Sequence, residues 1–410
     1  MSLKGPLQGK IRFACSYLAS GVALFVLSAT FFLCKPFFHS TLIIPQHGFI
    51  GGTMYYIRNL IQLLIKTKPV QLLVPEHEKE QYSEAYSKQV AGIRSFKDEF
   101  DHPEVYFDKA HSLYKYYRLR IVQQRVCILR HAIATRSNRL LVSATHPGRF
   151  SFAFLFPGRM SYILHTLPWI DLDIGNKNTI ASGLSKPGKS IIAVSAYLKG
   201  EIIRYWGLSS LESKIHVIRN FYEPLNKVHP QRKEVIGILT LGNLIPDKNP
   251  KLWIDMAREL SKKHRNIAVE WVWAGQGPMY EELKSLCANE ENIHFAGWVD
   301  DVDKLYAGSA IYLQPSMAES AGIGIIGAMA HGIPAVVSDK GGTTESVEHG
   351  ITGYLCNPGE RDRYISYIEK LILNPEIRER LGSKARERFE KMFTKSLWEE
   401  RISGLLNQCL

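Results

Sequence analysis

The chain has 410 residues, 45% of them hydrophobic and 22% charged, with a formal net charge of +12. That length suits two domains of ordinary size, and a composition without low-complexity tracts or solenoid-period repeats excludes a disordered or fibrous protein. The basic balance admits nucleic acid, anionic lipid or an anionic substrate. Six cysteines, at 15, 34, 127, 287, 356 and 409, have no paired spacing, which argues against a disulfide framework or a zinc site and fits a reducing compartment.

From Phe13 to Leu33 no residue is charged, with Lys4, Lys10 and Arg12 before the run and Lys35-Pro36 after it. About 20 apolar residues can span the hydrocarbon core, and the run is longer than most signal-peptide apolar regions. Residues 1–38 are therefore predicted to form a retained membrane anchor, with a surface-lying or re-entrant hydrophobic helix as the alternative. Charge asymmetry favours a cytoplasmic amino terminus. The lone cysteines and the lack of an Asn-x-Ser/Thr acceptor place the body at the cytoplasmic face instead. The protein is thus expected at a membrane, single-pass or monotopic.

Thr41 to Pro45 reads as a strand, followed by a turn with Gly51-Gly52 and a helix around Tyr55 to Leu64. Adjacent glycines let backbone amides approach a ligand closely. Gln71 to Pro75 is the next strand. Lys109 to Ile170 contains no Asp or Glu but ten Lys and Arg, and Leu113 to His131 has the spacing of a basic amphipathic helix. It reads either as a solvated face or as a surface for anionic lipid or a lipid-diphosphate acceptor. Tyr114, Tyr116 and Tyr117 could stack bases, but no nucleic-acid motif surrounds them, so no nucleic-acid partner is expected. Ser161 to Thr166 is a strand with His165 at its end. Asp171-Leu172-Asp173 reads as a solvated loop and not as a metal site. Strands follow at Ser190 to Ser195 and within Lys214 to Asn220.

Pro224 to Lys233 is a polar linker. Val235 to Leu241 is a buried strand leading into the turn Gly242 to Lys248, and further strands fall at Glu270 to Ala274 and Asn292 to Val299. Ile311-Tyr312-Leu313 stops at Pro315-Ser316. A loop carrying Glu319 then enters a small-residue helix near Gly322, which Gly332 caps and Pro334 ends, before the buried strand Ala335 to Val337. In this βαβ unit Ser320, Ala321, Gly322 and Ile323 present amides at the positive end of a helix, where a diphosphate can sit. Glu319 at its mouth would repel that ligand unless it faced sugar hydroxyls. A nucleotide-sugar meets both conditions.

Pro315, Ser316, Glu319, Gly322, Ala328-Met329-Ala330, Gly332, Pro334, Val336-Val337, Gly341-Gly342, Glu345, Gly350 and Gly353 stand in one register with a donor-binding signature. The chain resembles the large retaining glycosyltransferase family with two Rossmann-like domains, glycosyl transferases group 1 of the family 4 type. The resemblance runs from about Thr41 to Leu410 and is thin between 75 and 160. It implies an α/β chain of GT-B fold, two Rossmann-like parallel-sheet domains facing a central cleft, here with an N-terminal hydrophobic helix. The expected boundaries are 1–38 for that helix, 39–224 for an acceptor domain, 225–385 for a nucleotide-sugar donor domain and 386–410 for helices bracing the first domain.

The same resemblance implies a metal-independent transferase that moves a hexose from a nucleoside diphosphate sugar to a lipid-linked or polysaccharide acceptor, with no separate cofactor. Glu319 and His165 become the catalytic pair that orients the sugar. Gly51 and Gly52 lie near the donor phosphates and acceptor, Lys248 and the position of Asn243 on the diphosphate, and the amides of Ser320, Ala321, Gly322 and Ile323 around it. Two departures stand out. Asn243 replaces a usual Arg, and Gly327 replaces the second Glu that holds the ribose, with Glu345 as a conceivable substitute. These departures give the alternative, a catalytically weakened membrane-bound partner subunit of the same fold. A sugar-nucleotide epimerase is the third and weakest reading.

Overall fold

Short β-branched and leucine-rich runs, each stopped by Gly, Pro or Ser, form the strands of two sheets in the computed structural model, which describes residues 6–45, 52–96, 125–144, 151–168, 174–224 and 235–408. The first sheet contains β1 (Ser40–Ile44), β2 (Val70–Pro75), β3 (Gly92–Phe96), β4 (Ser137–Ala144), β5 (Arg159–Leu164), β6 (Lys189–Ala193) and β7 (Ile215–Val217), in the order β3-β2-β1-β4-β5-β6-β7. From β3 to β5 every neighbouring pair is parallel. The second sheet contains β8 (Ile236–Leu241), β9 (Val269–Ala274), β10 (Ile293–Gly297), β11 (Ile311–Gln314), β12 (Ala335–Ser338) and β13 (Gly353–Cys356), in the order β10-β9-β8-β11-β12-β13 and parallel throughout. All five residues of β1 and all four of β11 and of β12 are buried, as strands covered on both faces must be. The α/β class with two Rossmann-like parallel sheets agrees with the sequence reading.

The chain divides into two compact units, one of Met1–Ile192 with Ile202–His216 and Cys409–Leu410, the other of Ala193–Glu201 with Val217–Gln408. In the second unit one core cluster holds Trp253, Trp271 and Trp273, each fully buried, with Trp253 edge-on to both partners at 5.9 and 5.5 Å. A separate cluster packs Tyr222, Tyr306 and Tyr312 against the helix Ile323–Ala330. Trp398, from the closing helix Lys395–Gln408, lies 4.4 Å from Phe221 within this unit.

A helix does span Pro6–Cys34, where the sequence predicts an anchor. It starts early enough to take Lys10 and Arg12 into its first turns, and near its end Phe31 is buried against Phe38 and Phe156, each at 5.3 Å. Among the described residues no helix is long and apolar enough to cross a membrane, so the predicted transmembrane anchor and single-pass placement find no support, and the end of this helix packs within the first unit through Phe31. Of the predicted basic helix only 125–131 is described, in a helix over 125–134. Gly51, Asp171 to Asp173 and most of the predicted linker lie outside the described residues. Strands β3, β4 and β13 were not predicted.

Candidate functional site

β11 ends where Pro315 withdraws a backbone donor, and the loop that follows folds back so that Glu319 meets two side chains from its own segment. Oε1 of Glu319 accepts hydrogen bonds from Ser316 Oγ at 2.9 Å and from Gln314 Nε2, and takes Lys248 Nζ at 2.5 Å. The residue is 8% exposed. All three donors converge on one oxygen, and no described residue bonds Oε2. That second oxygen therefore remains an acceptor for a ligand hydroxyl. Gln314 is itself held, its Oε1 accepting the Tyr312 hydroxyl at 2.7 Å.

Lys248 reaches Glu319 because a single turn, Pro246–Lys248, follows β8 and ends at Asn249 in left-handed conformation (φ 56°), from which the helix Pro250–Lys263 departs. The Met317 amide donates to the Asp247 carbonyl at 2.8 Å and fastens this turn to the Glu319 loop. One ammonium proton serves Glu319, and two remain for an anion.

The Glu319 loop also pairs with the loop after β12. The Glu319 amide donates to Lys340 O, and the Gly342 amide donates to Glu319 O at 2.8 Å. A β-carbon on Gly341 (φ 91°) would collide with the Glu319 carbonyl, and one on Gly342 with that of Ser320. Both glycines are thus required by the approach of two backbones. Ser195 Oγ donates to the Ser320 carbonyl at 2.5 Å and fixes the loop from another side.

Gly322, at φ 66°, sits at the N-cap position of Ile323–Ala330, slightly later than predicted, so the amides of Ile323 and Gly324 head the helix while those of Ser320 and Ala321 belong to the loop before it. Asn243 is exposed just after β8, its side chain making no hydrogen bond among the described residues. Gly327 lies in the buried face of the helix. A β-carbon there would run into the ring and hydroxyl of Tyr306, which is fully buried and donates to Gly324 O at 2.8 Å. Glu345, the conceivable ribose ligand, is occupied elsewhere: Oε1 accepts the Tyr197 amide at 2.7 Å and Oε2 pairs with Arg219 at 3.0 Å.

In the first unit His165 follows β5, its amide bonded to Ala144 O at 3.1 Å and its Nε2 2.9 Å from Ser143 Oγ. Tyr56, from the helix Gly52–Leu64 that Gly52 opens, meets the imidazole edge-on at 4.8 Å. Burial pushes the His165 imidazole down to about 3, so it is neutral in any physiological buffer. The structure thus joins Lys248, Glu319 and the Ser320–Ile323 segment in one unit and Gly52 with His165 in the other. Sequence reasoning missed Gln314, Ser195, Tyr306 and Tyr312. A polar Gln closing an otherwise apolar strand was the one available signal.

Residues 222–388 match the family described as glycosyl transferases group 1. The chain is 30% identical over 142 residues to an N-acetyl-alpha-D-glucosaminyl L-malate synthase of Bacillus anthracis, covering 34% of this chain and 37% of that protein. It is 32% identical over 220 residues to a sulfoquinovosyl transferase of Arabidopsis thaliana, covering 50% and 39%. The matches therefore span well under two thirds of these relatives. Among solved structures, Anabaena HepE in complex with UDP-glucose superposes with a TM-score of 0.70 at 17% identity, over 90% of this chain and 100% of that one. The sucrose-phosphate synthase of Thermosynechococcus elongatus gives 0.71 at 15%, over 90% and 98%. At such identities these superpositions speak for the fold.

Proposed function

Residues 222–388 belong to the glycosyl transferases group 1 family, and on that premise we propose that the chain is a retaining, metal-independent glycosyltransferase that moves a hexose from a nucleoside diphosphate sugar to a lipid-linked or polysaccharide hydroxyl. The observation that carries the reading is the Glu319 carboxylate, anchored through Oε1 by Lys248, Gln314 and Ser316 with Oε2 left to accept from a sugar hydroxyl. When the donor bond breaks, negative charge grows on the leaving diphosphate. The two spare protons of Lys248 and the amides at the head of Ile323–Ala330 supply preorganised donors for it. His165, neutral and hydrogen-bonded, is assigned to a sugar hydroxyl.

The reading as a weakened partner subunit rested on Gly327 and Asn243. Tyr306 packed against Gly327 gives that glycine a structural reason, so it no longer marks a decayed site. UDP, bound by the Anabaena HepE protein, is the first nucleotide to try. A calorimetric titration with UDP, GDP and ADP and their sugars, beside Glu319→Ala, tests the proposal. One nucleotide series should stabilise the protein, and Glu319→Ala should weaken the sugar form more than the bare diphosphate. No response to any of them would refute it. Incubation of the responding donor with acceptors, and the anomeric configuration of the product, then tests retention.

A further inference from the structure

The first unit holds a cavity of about 520 Å³ that glycosyl transfer, as derived above, does not use. Its walls include Gln71 of β2, Arg94 and Ser95 of β3, Lys79 at the start of the helix Lys79–Tyr86, and His131 and Thr135 at the end of the helix over 125–134. Among the described residues β3 is the outermost strand of its sheet, so one edge of its backbone has no strand partner there. None of the described residues lining the cavity is acidic. Glu78 precedes Lys79 but lies beside Tyr82, outside the lining.

Lys79, Arg94, Arg130 and His131 have no carboxylate partner among the described residues. His131 Nδ1 is shut off from solvent without a hydrogen-bond partner among the described residues, and burial, with Arg94 and Arg130 nearby, pushes the imidazole down to about 4. Gathering cations around a buried, unsatisfied nitrogen is unfavourable unless something negative and rich in acceptors completes the set. The distribution of charge in the chain agrees. Residues 1–170 carry 21 Lys and Arg against nine acids, whereas residues 171–410 carry 30 of each, so the whole net charge of +12 resides in the first segment.

We propose that this cavity binds a phosphate-class oxyanion, free or carried on a lipid headgroup, with Arg94 and Lys79 as charged donors and Ser95, Gln71 and His131 as the inner ones. The proposal stands independently of the donor site built on Lys248 and Glu319. It is tested on the full chain by calorimetric titration with inorganic phosphate in chloride buffer, beside Arg94→Ala, His131→Phe and Lys248→Met. Arg94 is exposed and its variant should fold, which circular dichroism checks. Phosphate should bind, and Arg94→Ala and His131→Phe should each lose at least about tenfold in affinity, the scale of one charge-assisted hydrogen bond. Lys248→Met should retain the affinity. Flotation with phosphatidic acid vesicles against phosphatidylcholine vesicles identifies the source: Arg94-dependent flotation points to a headgroup, and phosphate binding without flotation points to a soluble anion. Neither binding nor flotation, or affinity lost only in Lys248→Met, overturns the proposal.

Discussion

Gly327→Ala sets two opposed effects against each other. By helix propensity alone, alanine in the middle of Ile323–Ala330 should stabilise by about 1 kcal/mol. The structure reverses the sign. The new methyl would enter the space of the Tyr306 ring and hydroxyl, and that ring cannot swing away because it is fully buried and its hydroxyl is bonded to Gly324 O. Tyr312 closes the same helix face one turn earlier, where a β-carbon on Gly324 would collide with its hydroxyl. Overpacking of this kind costs about 1–3 kcal/mol. The net expectation is a loss of about 1 kcal/mol, or a fall of roughly 2–4 °C in Tm for a unit of this size.

Scanning calorimetry of Gly327→Ala, Tyr306→Leu and the double variant measures it. With Tyr306 shortened, the alanine should become neutral or favourable, giving a coupling of about 1 kcal/mol or more between the positions. Gly327→Glu, which restores the family's carboxylate, should destabilise further and gain no nucleotide affinity, because its stem starts in the same filled space. A Gly327→Ala protein that melts at or above the wild type, or loses equally in both backgrounds, would refute the packing argument.

Lys248→Met keeps the aliphatic stem but leaves the Glu319 carboxylate without its cation. With Glu319 nearly buried and Lys248 about one-fifth exposed, a loss of about 1–3 kcal/mol in stability is expected, together with a drop of about tenfold or more in nucleoside diphosphate affinity. Unchanged nucleotide affinity by titration calorimetry would remove Lys248 from the site. Because His165 titrates near 3, it gives up its charge well below neutrality, and kcat/KM should show no His165-dependent limb between pH 5 and 8; a limb in that range that vanishes in His165→Asn contradicts this.

Lys189 is buried, with Nζ donating to the Phe156 and Gly158 carbonyls, and burial brings it down to about 7 from the ordinary 10.5. The unfolded chain holds a proton that the folded chain releases between those values. Stability should therefore rise as pH climbs from about 7 to about 10.5, by up to about 5 kcal/mol. Lys189→Met should remove that slope in pH-dependent melting whatever its effect on the absolute Tm, and an identical slope in both proteins would show that Lys189 does not carry it.

The second half of the chain was largely legible in its sequence. β8, β9, β11 and β12 are short apolar runs closed by Gly, Pro or Ser, and local chemistry alone places Gly322 at the head of a helix and Pro334 beyond its end. Strands such as β4, where Asn138 and Arg139 interrupt the apolar pattern, were not legible: Arg139 is buried in the fold, and a charged side chain in a central strand obscures the periodicity. The early run of Gly, Ala and Phe showed a long helix. Its length and apolarity did not reveal that its last turns pack through Phe31 on the first unit.

At the candidate site the sequence, through its order, spacing and family resemblance, singled out Glu319, Lys248 and the Gly-rich loop as candidates. Only the tertiary structure decided how each is held and by which partners. Sequence spacing cannot show that Gly341 and Gly342 exist because two loops touch through their backbones, that Glu345 is consumed by Arg219 and the Tyr197 amide, or that Tyr306 fills the room a side chain at 327 would need. The physical reason is the range of the interactions. Turns, caps and strand runs are fixed by neighbours within a few residues. The identity of a hydrogen-bond partner 71 residues away, as for Lys248 and Glu319, is fixed by packing.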